Sequence, residues 1–123
     1  MSPSITFIVY VSDAPTAARF YADLLDLGTP TFETPGYIAF ALGDKASLSL
    51  WSSHADTPTP QTPRTSEVCL TVPDGPDAID HLFKTWTAKG ARPVTEPMDA
   101  VFGRTFVVAD PDGNLIRVAP TDA

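Results

Sequence analysis

The chain has 123 residues, of which 43% are hydrophobic and 19% are charged, so it carries enough apolar side chains for a folded core. Eight Lys and Arg against 15 Asp and Glu give a formal net charge of −7, which disfavours binding to nucleic acid and to anionic membranes. One cysteine excludes an internal disulfide and a multi-cysteine zinc site. Since there is no basic and apolar leader and no apolar run near the roughly 18 residues of a membrane helix, we predict a cytoplasmic protein.

The first half of the chain begins with an apolar run at 5–11, which predicts a strand. Asp13 suits the N-terminus of the helix that follows. The helix is predicted from apolar side chains at three- and four-residue spacing: Ala17, Phe20, Tyr21, Leu24 and Leu25. Gly28 predicts its end. A short strand comes next, then strands at 37–42 and 47–51, which Gly43-Asp44 joins as a hairpin turn.

A proline-rich stretch at 54–65 separates the two halves of the chain and holds three of the 13 prolines. Proline lacks a backbone N–H, so this stretch predicts an extended surface connector. We expect a single domain over 1–123, with a first module at 4–53 and a second module at 66–120.

The second half repeats the order of the first. Val11-Ser12-Asp13-Ala14-Pro15 recurs 61 residues later as Val72-Pro73-Asp74-Gly75-Pro76, again between an apolar strand and a helical pattern. The apolar positions of this second helix are Ile79, Leu82, Phe83 and Trp86, before a stop at Gly90. A short strand follows Gly90, and then strands at 104–109 and 115–119 around an Asp112-Gly113 turn. The element order β-α-β-β-β therefore occurs twice, and duplication explains it better than coincidence.

Each module, at about 55–60 residues, is too small to bury a strong core alone, so the two must share a surface. The sequence therefore predicts an α+β fold of two curled, four-stranded mixed sheets with helices outside and an open trough between the other faces. The trough is the predicted binding site.

Three motifs of the chain are informative together: Val11-Ser12-Asp13 leading to Arg19-Phe20-Tyr21, then Phe102-Gly103-Arg104, and Asp110-Pro111-Asp112-Gly113-Asn114 before the last strand. In this order they resemble the vicinal oxygen chelate superfamily, which includes glyoxalase I, extradiol dioxygenases and bleomycin-resistance proteins. The resemblance covers residues 5–119 and implies the same fold, without implying one activity.

The resemblance also implies where a metal would be held, and the sequence departs from the family pattern there. Metal-using members carry His or Glu on the first and last strands of each module, which correspond here to Thr6, Ser49, Glu67 and Arg117. Only Glu67 is a competent ligand, and a guanidinium has no lone pair to donate. The chain has two histidines, of which His54 is expected to be a solvated residue of the connector and His81 a residue on a face of the second helix, rather than metal ligands. We therefore expect no metal and no other cofactor.

Glu67 and Arg117 would both point into the trough and are expected to form an ion pair. Two interpretations stay open: the pair fills a vacated metal site, or one or both side chains contact a polar group of a ligand. Loss of one partner would strand a partly buried charge at a cost of about 3–5 kcal/mol. Arginine at position 117 resembles the pattern of the bleomycin-resistance proteins, which bind a drug as dimers and do not change it chemically.

Strand alternation predicts which further side chains share the trough face. They are Ile8, Tyr10, Ser47, Trp51, Cys69, Thr71, Leu115 and Ala119. Aromatic walls with a few polar tips suit a flat small molecule. Trp51 is the predicted stacking platform, with an ordinary sheet residue as the alternative, and Tyr10 is a similar candidate. Cys69 is expected to be a small buried hydrophobe.

The segment 96–104 is expected to be a loop that leads into a strand, and the resemblance implies that this loop borders the groove. Phe102 would cap an apolar ligand, and Arg104 would either contact the ligand or anchor the loop. Glu96 and Asp99 keep the rim negative, which fits a neutral or cationic ligand. Asp110 and Asp112 are expected to form a turn.

The favoured hypothesis is a metal-free protein that sequesters an aromatic or cationic antibiotic-like small molecule as a homodimer. Its predicted ligand-binding residues are Thr6, Tyr10, Ser49, Trp51, Glu67, Phe102, Arg104 and Arg117. The alternative is an enzyme of the same superfamily, such as a glyoxalase-like lyase, an isomerase or a dioxygenase relative, with Glu67 as its base or with a borrowed metal. A third hypothesis is an interaction module in which Tyr10, Trp51 and Phe102 pack the trough shut.

Overall fold

The computed structural model describes residues 3–53 and 59–121, so His54 lies outside the described residues. The chain divides into two compact units, residues 1–59 and 60–123. The elements in chain order are β1 (Ile5–Tyr10), α1 (Ala14–Leu25), β2 (Phe32–Thr34), β3 (Tyr37–Ala41), β4 (Ala46–Trp51), β5 (Glu67–Val72), α2 (Pro76–Ala88), β6 (Arg92–Ala100), β7 (Gly103–Ala109) and β8 (Leu115–Pro120). The predicted fold of two βαβββ modules is confirmed.

The first unit is a four-stranded sheet in the order β1-β4-β3-β2. β1 runs parallel to β4, and the other pairs are antiparallel. A parallel neighbour requires a crossover connection, which α1 provides on one face of the sheet. The buried side chains between α1 and the sheet are Ala17, Tyr21, Leu24, Ile38, Phe40, Leu48 and Leu50.

Both ends of α1 have identifiable caps. Asp13 is the N-cap, and its Oδ2 accepts hydrogen bonds from the Thr16 hydroxyl at 2.5 Å and from the Thr16 N–H at 2.9 Å. These two bonds hold the pKa of the Asp13 carboxyl below its ordinary value. The predicted stop at Gly28 is wrong, because Asp26 adopts the left-handed conformation (φ 55°) and its N–H donates to the Ala22 carbonyl. Aspartate is one of the few residues that tolerate this conformation.

The second unit repeats this architecture in the strand order β5-β8-β7-β6, with β5 parallel to β8. Trp86 of α2 is 1% exposed, and its ring lies 5.6 Å from that of Phe106 in an edge-to-face arrangement. Gly90 ends the helical segment with φ 101°, as predicted. No helix of the described residues is long and apolar enough to cross a membrane.

The predicted loop at 96–104 is wrong over most of its length, because β6 continues to Ala100 and only the turn at 101–102 separates it from β7. Pro93 and Pro97 have no backbone N–H to donate. The sheet tolerates them because β6 is an edge strand, which needs hydrogen bonds to a neighbouring strand on one side only. Register shifts between Pro93 and Thr95 and between Thr95 and Met98 accommodate the irregular stretch.

The turn between β7 and β8 is built as the sequence predicts. Asp110 Oδ1 accepts from the backbone N–H groups of Asp112 at 2.8 Å and Asn114 at 2.9 Å. Arg64 ties the end of the connector to the turn, donating to Asn114 Oδ1 at 2.9 Å and to the Asp112 carbonyl at 2.6 Å. Gly113 adopts φ 90°, and a Cβ there would lie 2.8 Å from Pro60 Cα.

Candidate ligand-binding face

The face of the first sheet opposite α1 carries the side chains that alternation predicts. In the β1–β4 register Thr6 lies beside Ser47, Ile8 beside Ser49, and Tyr10 beside Trp51. The β3–β4 register adds Tyr37 next to Trp51, and Ala39 next to Ser49. This surface of the first sheet is called the open face below.

Four aromatic rings form a continuous row across one end of the open face. In order across the sheet, this aromatic row is Tyr10, Trp51, Tyr37 and Phe32. The centroids of successive rings are 5.8, 6.4 and 6.1 Å apart, with tilted or edge-to-face geometry. Tyr10 is 49% and Phe32 57% exposed, so neither ring is packed shut by the chain. Contiguous exposed apolar surface of this kind marks binding sites.

The sequence interpretation missed Tyr37 and Phe32. The signal was present, because the β3–β4 hairpin places Tyr37 opposite Trp51, and strand alternation could have been extended to β2 and β3.

Hydroxyl groups occupy the other end of the open face. The hydroxyl patch consists of Thr6, Ser47 and Ser49. Thr6 Oγ1 and Ser47 Oγ are 3.0 Å apart and form a hydrogen bond. Ser49 is fully buried, and its Oγ has no hydrogen-bond partner among the described residues. A buried hydroxyl without a partner costs about 1–3 kcal/mol, so this atom requires an explanation.

The corresponding face of the second sheet carries the predicted ion pair. Arg117 Nε donates to Glu67 Oε1 at 2.5 Å, and its Nη1 donates to Thr105 Oγ1 at 3.1 Å. The Thr105 hydroxyl in turn donates to the Val118 carbonyl at 2.7 Å. The guanidinium is therefore held at two points, while the Arg117 and Glu67 side chains remain 29% and 32% exposed.

Cys69 lies beside Arg117 in the register and is exposed, so the prediction of a buried residue is wrong. The reason is that β5 is an edge strand and Cys69 points away from α2. Partial burial of the thiol and the Glu67 carboxylate raise the pKa of Cys69, against the opposing effect of Arg117.

Phe102 and Arg104 lie at the β6–β7 hairpin, as the residues immediately before and after Gly103 in the sequence. Phe102 is 53% exposed in the turn. Arg104 faces α2, where its Nε donates to Asp80 Oδ1 at 2.9 Å and its Nη1 to Asp99 Oδ1 at 3.3 Å. The bond to Asp80 raises the pKa of the guanidinium, desolvation opposes it, and the bond to Asp99 raises it further. This geometry favours the anchoring alternative for Arg104.

A shallow depression of about 490 Å³ is lined by Pro15, Glu33, Thr34, Pro35 and Ile38. It contains no residue of the aromatic row, and Glu33 and Ile38 lie on the α1 side of the sheet. We therefore place the candidate site on the open face, where the aromatic side chains are.

Comparison with known proteins decides the family. The model of the Glyoxalase/Bleomycin resistance protein/Dioxygenase superfamily matches residues 4–118. The chain belongs to this superfamily. It is 39% identical over 118 residues to the phenazine antibiotic resistance protein EhpR of Enterobacter agglomerans, covering 94% of this chain and 89% of the relative.

Solved structures of superfamily members and related proteins share the fold. The solution structure of protein ATC0852 from Agrobacterium tumefaciens is 29% identical, with a TM-score of 0.83 and complete coverage of both chains. The crystal structure of a glyoxalase-related enzyme from Fulvimarina pelagi is 20% identical, with a TM-score of 0.78 over 98% of this chain and 89% of that chain.

The resemblance described above assigns Thr6, Glu67 and Arg117 to metal-ligand positions, and the chemistry of these side chains suits a divalent ion poorly. Arg117 presents a cation whose nitrogens cannot ligate a metal, and it binds the Glu67 carboxylate directly. Thr6 offers a neutral hydroxyl that is bonded to Ser47. Within residues 3–53 and 59–121, no group of three or more His, Cys, Asp and Glu side chains could hold a metal ion.

Proposed function

We propose that this superfamily member binds a planar aromatic antibiotic of the phenazine type and sequesters it without chemical change. The observation that carries the proposal is the aromatic row on the helix-free face of the first sheet. The 39% identity to a phenazine antibiotic resistance protein supports the same ligand class.

The aromatic row suits a flat ring system on physical grounds. A ring that packs on Trp51 meets Tyr10 on one side and Tyr37 on the other, at centroid distances of 5.8 and 6.4 Å from the indole. Each aromatic pair contributes about 0.5–1.5 kcal/mol beyond the burial of apolar area. Such binding needs rings and apolar surface and requires no acid, base or metal. The net charge of −7 favours neutral or cationic ligands over anionic ones.

The other predicted ligand contacts belong to the second unit and stay predictions. Glu67 and Arg117 form a fixed polar pair whose guanidinium is only partly covered. Phe102 is an exposed ring at the β6–β7 turn. The enzymatic alternative has less support, since the Glu67 carboxylate that would serve as base accepts a hydrogen bond from Arg117 at 2.5 Å.

We also propose a homodimer. The edge strand β1 exposes Ile5 at 61% and Phe7 at 54%, in addition to the open-face side chains Ile8 and Tyr10. Exposed apolar side chains along a strand with an unpaired edge favour association with a second copy of the chain.

Titration with phenazine while recording tryptophan fluorescence tests the proposal. The chain contains two tryptophans, the partly exposed Trp51 and the buried Trp86, so the two signals can be separated. We expect saturable quenching in the wild type and in Trp86→Phe, loss of that quenching in Trp51→Phe, and recovery of unaltered phenazine by chromatography. Absence of quenching and of calorimetric binding, or conversion of the compound, would contradict the proposal.

A further inference from the structure

The open face has a polar end as well as an aromatic end, and β4 joins the two. Ser47, Ser49 and Trp51 follow one another on this face of β4. Alternate residues of a strand are roughly 7 Å apart, so Ser49 lies one step from the indole. A three-ring ligand that packs on Trp51 extends over this position.

The Ser49 hydroxyl differs from other hydroxyls of the chain. Thr105 donates to the Val118 carbonyl at 2.7 Å, and Thr34 donates to the Tyr37 carbonyl at 3.1 Å. Ser49 Oγ is fully buried and has no such acceptor among the described residues. The Thr6–Ser47 bond uses only one of the two hydroxyl protons of that pair. The patch therefore keeps unused O–H donors, and the Ser49 proton is the one that is fully buried.

We propose that Ser49 is a specificity-determining residue that donates a hydrogen bond to an acceptor in the ligand, such as a ring nitrogen. This inference rests on the proposed function and narrows its ligand class to planar rings with a nitrogen or carbonyl acceptor. A hydrocarbon ring of the same shape leaves the Ser49 proton without a partner, whereas an aza-aromatic ring satisfies it. A site with an unsatisfied donor discriminates against ligands that lack the matching acceptor.

The burial of Ser49 in the free protein is compatible with this role. Its neighbours on the open face are Ile8 and Ala39 across the sheet and Ser47 and Trp51 along β4. Ile8 is 48% exposed and Trp51 is partly exposed, so both side chains can change rotamer without opening the core under α1. Ligand entry then involves a movement of Trp51, which the fluorescence of that residue reports.

Phenazine and anthracene are the matched probes, because they share one three-ring shape and differ by two ring nitrogens in place of CH groups. Both are titrated into the wild type and into Ser49→Ala in the same cosolvent. We expect the substitution to weaken phenazine binding about 2- to 10-fold, the range of one hydrogen bond, and to leave anthracene binding unchanged. The melting temperature of unliganded Ser49→Ala should not fall, since the hydroxyl has no hydrogen-bond partner in residues 3–53 and 59–121.

The outcomes separate the two proposals. If the wild type binds phenazine and Ser49→Ala weakens both probes equally, or weakens neither, the Ser49 inference is overturned while the proposed function stands. If the wild type binds neither probe, the proposed function fails and the inference fails with it. A lower melting temperature with an unchanged phenazine-to-anthracene ratio assigns Ser49 to packing and also overturns the inference.

Discussion

The ion pair between Arg117 and Glu67 gives a prediction whose size follows from the structure. Removing one partner of a fully buried pair costs about 3–5 kcal/mol, whereas an exposed pair contributes about 0–1 kcal/mol. Here the side chains are 29% and 32% exposed, and Arg117 also bonds to Thr105. We therefore expect a coupling free energy of about 1–2 kcal/mol between Arg117 and Glu67, between these two limits.

A double-mutant cycle with urea unfolding measures this coupling. Arg117→Ala should destabilise the protein more than Glu67→Ala, because it leaves a carboxylate without its cation and removes the donor to the Thr105 hydroxyl. In the Arg117→Ala background, the second substitution should have little further effect. The exposed pair between Arg104 and Asp99, whose carboxylate side chain is 83% exposed, is the matched control and should couple less strongly.

Additive effects of Arg117→Ala and Glu67→Ala on the free energy of unfolding would contradict the expected coupling. A coupling free energy below about 0.3 kcal/mol, with both single variants folded, would show that the 2.5 Å contact does not stabilise the second sheet. It would also weaken the interpretation of Arg117 as a fixed polar group on that face.

Three further predictions concern folding and assembly. Asp13→Ala should lower the melting temperature, while Asp13→Asn should retain the helix cap. Because the pKa of Asp13 is depressed in the fold, the stability that its carboxylate contributes is present above the unfolded pKa and is lost as pH falls through the folded pKa. Thermal melts should show this loss in the wild type and not in Asp13→Asn. Gly113→Ala should destabilise by at least about 1 kcal/mol in urea unfolding. Gly113→Ala should cost more stability than Gly43→Ala. Gly43 also has positive φ, but an added Cβ there meets no atom within 4 Å, whereas the Cβ at Gly113 meets Pro60. Equal losses of stability would contradict the contact between position 113 and Pro60. Phe7→Glu should shift sedimentation from dimer to monomer, and an unchanged sedimentation coefficient would exclude β1 from the interface.

The element order could be predicted because it depends on local signals. Asp13 before a helical apolar pattern and Gly90 after one determine helix ends through backbone chemistry that needs no tertiary contact. The paired motifs around Val11 and Val72 then fixed the repeat of the modules. The resemblance to the superfamily depended on the Val11 motif together with Phe102-Gly103-Arg104 and the turn at 110–114, since each motif is weak alone.

The failures concern features that depend on a residue's place in the sheet. β6 continues through Pro97 because it is an edge strand, and Cys69 is exposed because β5 is one too. Neither edge position could be derived from local sequence without the strand order. The helix stop moved from Gly28 to Asp26 because aspartate also adopts positive φ, which a search for glycine misses.

For the candidate site, strand alternation predicted that Thr6, Tyr10, Ser49 and Trp51 lie on one face of the sheet, and the β1–β4 register places them there. It did not extend to Tyr37, since the hairpin register that places this ring beside Trp51 is a tertiary property. The ligand contacts themselves remain predictions, and they depend on side-chain movements that binding would induce.

The most direct test of the account is the dissociation constant of phenazine for Trp51→Ala, measured by calorimetry. Phe20→Ala is the matched control, because Phe20 is a partly exposed aromatic residue of α1 on the other side of the sheet. We predict that loss of the central ring of the aromatic row weakens binding by at least about 30-fold, corresponding to about 2 kcal/mol for a central aromatic contact, while Phe20→Ala binds like the wild type. Equal affinity of Trp51→Ala and the wild type would contradict the assignment of the aromatic row as the binding site.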